Sequence, residues 1–443
     1  MGACADDGGG ITAAVTAEGM AVDQERAAEC SGAAPLLPPP LPPPPPPRSW
    51  HAVDSLADLG LPLSPAAAAE HAVAEAWRLF KLALKLWSYV GLGWKWSLQA
   101  CRLVVYALLL LPGFAHMLAF YFWSPLVKRD VPYGRKPRQL LDLYVPAGAR
   151  PGSDPVPVVV FVTGGAWIIG YKAWGAALAR RLVEGGALVA CLDYRNFPQA
   201  SAVEMLEDVN TGVSWVSRHA ARYGGDPEAL LLVGQSAGGQ LALMALLSQA
   251  AQAASGRAAL GGSPCWHPRD VAGFVGVSGA YDLEGLAEHL HRRGLYHNLL
   301  DSIMCLDGKK AYDKLSPLAA ARGLAAALDG GGGRDGDGAR LGGGAGALLP
   351  PALLLHGTAD KTVPHAGSEL MRGALEALGV PCALRLLPGK THTDLLLEDA
   401  FRGGPDPLAD AILEAATGRP RSSWHPRTCP APLVWLAGRV CPF

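Results

Sequence analysis

Charged side chains are scarce in this 443-residue chain. They make up 17% of it, against roughly 25% in an average soluble protein, while hydrophobic residues reach 50%. That combination excludes a mainly disordered chain, which needs low hydrophobicity and high net charge. Neither sign is in excess: 38 Lys and Arg meet 39 Asp and Glu for a formal net charge of −1. The global basic footprint of a nucleic-acid binder is therefore missing. Cysteine patterning is missing too. Cys4, Cys30, Cys101, Cys191, Cys265, Cys305, Cys382, Cys429 and Cys441 are scattered, odd in number and never in C-x-x-C spacing. No zinc site, other metal site or disulfide framework is expected, and a reducing compartment is the simplest reading for the main domain. The first residues lack the apolar run of a secretory signal peptide. Asp6 stands where an N-myristoylation motif wants Ser or Thr, and Val440 is fourth from the end where a prenylation box wants Cys, so neither lipid anchor is expected.

What the chain does have is sharply segregated. Ten of its 37 prolines fall between Pro35 and Pro47, a polyproline II spacer that cannot build a core. Residues 1–70 are accordingly expected to be a disordered tail. From 71 to 127 the composition turns apolar and aromatic. Leu103 to Trp123 is a run of 21 residues without an acidic or strongly basic side chain, enough to span roughly 30 Å of hydrocarbon with a kink at Pro112 and Gly113. Before it, Arg78, Lys81 and Lys85 recur at helical spacing among Trp77, Phe80, Leu84 and Trp87. That pattern suits a helix lying at a lipid interface or a second span. A membrane-anchor region is expected here rather than the alternative, a buried helical hairpin packed on the domain, because Trp and Tyr cluster near both ends as interface residues do.

From 128 to 420, β-branched apolar runs at 157–163, 187–193, 229–236, 271–277 and 352–356 alternate with helix-like stretches at 173–184, 200–219, 237–254 and 366–378. Near-continuous apolar strands have both faces covered, which predicts a mostly parallel α/β sheet. A low-complexity insert at 329–347 holds ten glycines and is expected to be a flexible surface loop. Residues 421–443 are left as a C-terminal extension.

The segment Leu230-Leu-Leu-Val-Gly-Gln-Ser-Ala-Gly-Gly239 carries G-x-S-x-G between an apolar strand and an Ala-rich helix, the pattern of a nucleophile elbow. A sharp turn flanked by small residues lifts Ser236 out at the strand end. In such a fold the acid and then the histidine follow in chain order. Asp360 lies past the strand Leu353-Leu-Leu-His-Gly357, and His392 past Leu386-Leu-Pro-Gly-Lys-Thr. Each has a bland alternative, a turn-forming Asp and a solvated loop histidine, but the ordered trio makes the joint coincidence a poor explanation. His356 and Asp394 are the nearest decoys: the first is expected to satisfy local backbone, the second is too close to His392 for triad geometry. Oxyanion donors are expected from the small-residue turn Gly164, Gly165 and Ala166 together with Ala237, and Gln235 is expected beside them at the substrate.

Four stretches then become recognisable: Thr163-Gly-Gly-Ala-Trp-Ile-Ile-Gly-Tyr-Lys-Ala-Trp174, Cys191-Leu-Asp-Tyr-Arg-Asn-Phe-Pro198, Gly234-Gln-Ser-Ala-Gly238 and Gly389-Lys-Thr-His-Thr-Asp-Leu395. Over roughly residues 120–405 they resemble plant-type isoprenylcysteine α-carbonyl methylesterases. The resemblance implies an α/β-hydrolase with Ser236 as nucleophile, His392 as base and then acid, Asp360 as orienter, and no cofactor. It implies cleavage of the C-terminal methyl ester of prenylated cysteine, releasing methanol, in endoplasmic reticulum or Golgi membranes with a cytosolic catalytic domain. Membrane lipid would be a partner and nucleic acid would not. The competing readings are a membrane-bound carboxylesterase or lipid deacylase on another ester, and a catalytically silent hydrolase-fold receptor. Residues Tyr281 to Leu306 are expected to wall the prenyl groove.

Overall fold

The computed structural model describes residues 94–255, 260, 266–293, 297–330, 345–419 and 424–441. The expected tail, the basic-edged stretch from Trp77 to Trp87 and most of the glycine insert lie outside the described residues. Strands β1 (Val127–Pro132), β2 (Leu140–Tyr144), β3 (Val156–Val162), β4 (Leu188–Leu192), β5 (Gly225–Gln235), β6 (Gly273–Val277), β7 (Ala352–Gly357) and β8 (Cys382–Leu387) build one sheet. Their order is β1-β2-β4-β3-β5-β6-β7-β8. Only the β1–β2 and β2–β4 pairings are antiparallel; the rest are parallel. Every residue of β4 and β6 is buried, as continuous apolar runs require of strands covered on both faces. Strands β1 and β2 escape the apolar pattern because they carry Lys128, Arg129, Asp130 and Asp142.

The main helices are α1 (Trp94–Leu109), α2 (Leu111–Trp123), α3 (Ala176–Glu184), α4 (Ala202–His219), α5 (Ala237–Ser255), α6 (Leu283–Arg292), α7 (Pro317–Gly330), α8 (Ala366–Ala377), α9 (Pro407–Thr417) and α10 (Ala431–Val440). Strand side chains alternate between faces, so β3 feeds two cores. Val158, Val160 and Val162 pack with Met205, Val209 and Val213 of α4 and with Leu241 and Ala245 of α5. Val159 and Phe161 face the other way, toward Leu178 and Leu182 of α3, Ile412 of α9, Tyr106, Met117 and Tyr121 of α1 and α2, and Leu110 at their junction. The result is a sheet between two helical layers, an α/β-hydrolase architecture.

The apolar run from Leu103 to Trp123 is two helices, with the expected kink at Pro112 and Gly113 a sharp bend. The chain bends by 67° between α1 and α2, because Pro112 stands in the first turn of α2 without an N–H to continue the preceding helix. No single described helix is long and apolar enough to cross a membrane, although the bent pair together passes that test of length and composition. At about 1.5 Å per residue, the 16 and 13 residues of the two helices reach roughly 24 and 20 Å, short of the ~30 Å hydrocarbon core. One face of the pair joins the protein core, and the other leaves Val104, Leu108, Leu111, Phe122 and Trp123 exposed. The C-terminal segment is no mere extension. Helix α10 lies along α1, and Arg102 donates to the carbonyls of Val440 and Cys441 at 3.1 and 3.0 Å, satisfying the last turn of α10.

The seam between α2 and the domain is tight. Phe114 meets Phe401 edge to face at 5.2 Å, and a Cβ on Gly113 would lie 2.6 Å from the Phe401 ring. Gly113→Val is expected to destabilise the protein by about 1–3 kcal/mol through overpacking, read as a lower urea midpoint at unchanged m-value.

Candidate active site

Strand β5 ends at Gln235 and α5 begins at Ala237, leaving Ser236 alone in the turn with φ 55°. A non-glycine residue in the left-handed region is strained and is held only where its surroundings over-determine it. Two glycines do so. A Cβ on Gly234 would lie 2.5 Å from the Gly238 carbonyl oxygen, and one on Gly238 would lie 2.2 Å from that of Val162. The Ser236 N–H is anchored on the Val277 carbonyl at 2.8 Å.

Asp360 and His392 arrive from the ends of the two adjacent strands. Past β7, Asp360 folds into a tight turn in which its Oδ1 accepts from the N–H groups of Thr362 and Val363 at 2.8 and 2.9 Å. Past β8, the Ala359 N–H donates to the Lys390 carbonyl at 3.0 Å, tying the two loops together. His392 Nδ1 then lies 2.6 Å from Asp360 Oδ2, and His392 Nε2 lies 2.9 Å from Ser236 Oγ. With the proton on Nδ1 donated to the carboxylate, Nε2 is left to accept from the serine hydroxyl. All three residues are buried, at 7%, 7% and 8% exposure for Ser236, His392 and Asp360.

His356 does more than satisfy local backbone. It is completely buried, its Nε2 lying 3.1 Å from Asp360 Oδ2 and 3.0 Å from the Val363 carbonyl, and its Nδ1 2.7 Å from Ser368 Oγ. Asp360 thus stands between two histidines. Burial would raise its pKa, but His392, His356 and the backbone donors together outweigh burial and hold the carboxyl well below its usual range. Asp394 touches neither group; its Oδ2 accepts from the Thr391 N–H at 2.7 Å.

The loop after β3 supplies the other side of the site. Gly165, Ala166 and Trp167 have φ of 128°, 51° and 61°, a run that turns successive N–H groups into a concavity suited to negative charge. Gly164 brings this loop against the serine: a Cβ there would lie 2.9 Å from Ser236 Cβ and 2.1 Å from Gln235 Oε1. Among the described residues, the N–H groups of Gly165, Ala166 and Ala237 have no acceptor. Four side chains clamp the loop. Tyr194 donates to the Thr163 carbonyl at 2.9 Å, Asn196 and Arg138 to the Gly170 carbonyl at 2.8 and 2.5 Å, and the Trp167 indole to Gln240 at 2.9 Å. Sequence reasoning assigned these four no role, though a polar run at 193–196 straight after a buried strand was the available signal. Tyr281, expected in a groove wall, is instead buried in the core against Gly276 and Gly279.

A sheet of this order carrying a hydrogen-bonded Ser–His–Asp chain on three strand ends defines the α/β-hydrolase class of esterases. A family model described as BD-FAE matches residues 141–320. The chain is 42% identical over 383 residues to the "Probable isoprenylcysteine alpha-carbonyl methylesterase" of Oryza sativa subsp. japonica, covering 84% of this chain and 86% of that one. It is 40% identical over 381 residues to the isoprenylcysteine alpha-carbonyl methylesterase of Arabidopsis thaliana, covering 84% and 83%. Among solved structures, Thermogutta terrifontis esterase 2 is similar at a TM-score of 0.46 and 22% identity, covering 66% of this chain and 93% of that one. The chain belongs to the isoprenylcysteine α-carbonyl methylesterase family.

The depressed Asp360 pKa has a consequence for stability. A carboxyl depressed on folding binds fewer protons when native, so its contribution is complete above the unfolded value of about 3.9 and fades as pH falls below it. The unfolding free-energy gap between wild type and Asp360→Asn, followed by urea titration, is expected to be constant from pH 5 to 7 and to shrink below about pH 4.

Proposed function

We propose that this protein hydrolyses the C-terminal methyl ester of prenylated cysteine to the free carboxylate and methanol. The observation that carries the reading is the Asp360–His392–Ser236 hydrogen-bonded chain opposite a left-handed loop of free N–H groups, in a chain of this family. Ser236 Oγ attacks the ester carbonyl while His392 Nε2 takes its proton. The oxygen that becomes negative is received by the N–H groups of Gly165, Ala166 and Ala237, which need no reorganisation because the four clamps already hold the loop. His392 then gives its proton to the departing methoxide, and methanol leaves an acyl-enzyme on Ser236. Water, deprotonated by the same histidine, attacks that acyl group. Collapse returns the proton to Ser236 and frees the carboxylate. Asp360 stays ionised throughout, holding the Nδ1 proton of His392 and stabilising the imidazolium; His356 keeps that carboxylate in place. The residues needed are all side chains and backbone of this chain.

The membrane enters the proposal through the substrate. A prenyl chain gains about 0.8 kcal/mol per CH₂ buried in a bilayer, so an enzyme seated at the surface need not draw that chain through water. The exposed outer face of α1 and α2, with Val104, Leu108, Leu111, Phe122 and Trp123, supports a seat on the bilayer, and Trp435 of α10 and Trp174 add exposed aromatic surface. The corresponding location is the endoplasmic reticulum or Golgi membrane, with the catalytic domain on the cytosolic side where prenylated C-termini are exposed.

Farnesylcysteine methyl ester is the discriminating substrate. The wild type is expected to release methanol from it, with kcat/KM falling at least about 10³-fold in Ser236→Ala and His392→Ala. Wild-type turnover restricted to short acyl esters replaces this reading by a general carboxylesterase. Equal turnover by Ser236→Ala removes the serine from the mechanism. For the membrane seat, the full chain is expected to sediment with phosphatidylcholine vesicles and Leu108→Glu/Trp123→Glu to stay in the supernatant while still cleaving a soluble ester.

A further inference from the structure

Each helix of the α1–α2 pair brings one buried tyrosine hydroxyl to an acid beneath one of the two loops that face Ser236. On α1, Tyr106 donates to Glu398 Oε1 at 2.5 Å and lies 3.2 Å from Thr393 Oγ1. Thr393 donates to the same Glu398 oxygen at 3.1 Å. Thr393 follows His392 directly, and Thr391, directly before it, is held through its N–H by Asp394. His392 is therefore suspended between two pinned neighbours, one of them pinned by α1.

On α2 the chain of contacts runs to the other loop. Tyr121 donates to Asp142 Oδ2 at 2.8 Å, and Asp142 Oδ1 accepts from Lys172 Nζ at 2.6 Å. Lys172 is 1% exposed and Asp142 not at all; the ammonium is held further by Asp130 at 2.8 Å. Burial would lower the lysine pKa, but Asp142 and Asp130 raise it on balance, so it stays charged. Lys172 stands two residues past Gly170, where the 164–170 loop is clamped by Asn196 and Arg138. Its own N–H points to Asp193 Oδ1 at 3.3 Å, the oxygen that Arg138 also holds at 2.6 Å.

A helix that only shields a core needs apolar contacts. Here two helices place two hydroxyls, in one case across 292 positions of sequence, on acids that brace opposite sides of the same serine. We propose that the α1–α2 pair is a positioning element of the esterase site, Tyr106 holding the His392 loop through Glu398 and Tyr121 holding the 164–170 loop through Asp142 and Lys172. The proposal rests on the ester-hydrolase reading above and goes beyond it, since neither tyrosine touches the reacting atoms.

The test uses the full chain, p-nitrophenyl acetate as a soluble substrate, and a fluorophosphonate to count reactive serines. Tyr106→Phe and Tyr121→Phe are each expected to lower kcat per titrated serine about tenfold, as displaced catalytic groups do, with KM within about twofold. The double variant should lose about 100-fold, because distant sites add. Burial, followed by the charge of Asp394, pushes Glu398 up to about 7. Glu398→Gln, which keeps an acceptor for both hydroxyls, should therefore retain kcat within about threefold, whereas Glu398→Ala should match Tyr106→Phe. Tyr223→Phe, just before the start of β5 and so at the end of that strand opposite Ser236, should leave kcat unchanged. Should Tyr106→Phe fail to fold, Thr393→Val tests the same brace with the same expected loss. Wild-type kcat per titrated serine in both tyrosine variants overturns the proposal, as does a rise in KM at unchanged kcat. A wild type that neither turns over the ester nor takes the label overturns the hydrolase reading instead, so the two failures are told apart.

Discussion

The left-handed turn at Ser236 is the constraint around which the molecule is arranged. Its φ of 55° is tolerable only where neighbouring backbones prevent relaxation, and Gly234 and Gly238 permit that approach by having no side chain. Because β5 lies between β3 and β6 in the sheet, the turn comes out at the centre of one sheet edge. The loops after β3, β7 and β8 end on that edge as well. Parallel order thus delivers donors, acid and base to one point, and the positions follow from topology before any side chain is chosen.

Around that point the protein buries charge in pairs. Lys172 with Asp142, Arg138 with Asp193 and Arg195 with Asp208 gather around β2 and just past β4, next to the strand that feeds the 164–170 loop, each with a buried carboxylate. Such pairs add little net stability over apolar packing of the same shape, yet breaking one leaves an uncompensated buried charge, at about 3–5 kcal/mol. Their geometry is therefore hard to deform, which suits a loop whose N–H groups must be in place before charge develops on the substrate. The low overall charge content has its explanation in the fold. Much of the chain's apolar content is a doubly covered sheet plus one outward-facing helical pair.

Much of the fold was legible because continuous apolar strands and amphipathic helices declare themselves locally. Strands β3 to β7 and helices α3, α4, α5 and α8 lie within a few residues of their sequence-based ranges. Strands β1 and β2 stayed hidden because Asp130, Asp142 and their neighbours make ion pairs that no hydropathy pattern anticipates. The bend in the hydrophobic run had a local sign in Pro112, but its size depends on docking: Gly113 against Phe401, and Tyr106 and Tyr121 on buried acids. Length alone could not separate one kinked span from two short helices with a buried, hydrogen-bonded inner face.

By itself, the sequence determined the elements whose physics is short-range. The G-x-S-x-G turn is marked locally by Gly234 packing against Gly238, although Val162 and Val277 complete its restraint, and the strand runs are set by the burial preference of each side chain. The order serine, acid, histidine is a property of chain direction once the sheet is parallel. Only the tertiary structure decided which polar residues meet. His356, a decoy by sequence, stands on Asp360 because β7 and the following turn fold back on each other. Tyr194 and Asn196 reach the 164–170 loop because β4 lies beside β3, and Tyr106 reaches Glu398 because α1 and α10 are docked together next to the His392 loop. Hydrogen bonds are directional and act over about 3 Å, so which groups pair is known only when distant segments have been placed, and no spacing rule along the chain encodes that placement.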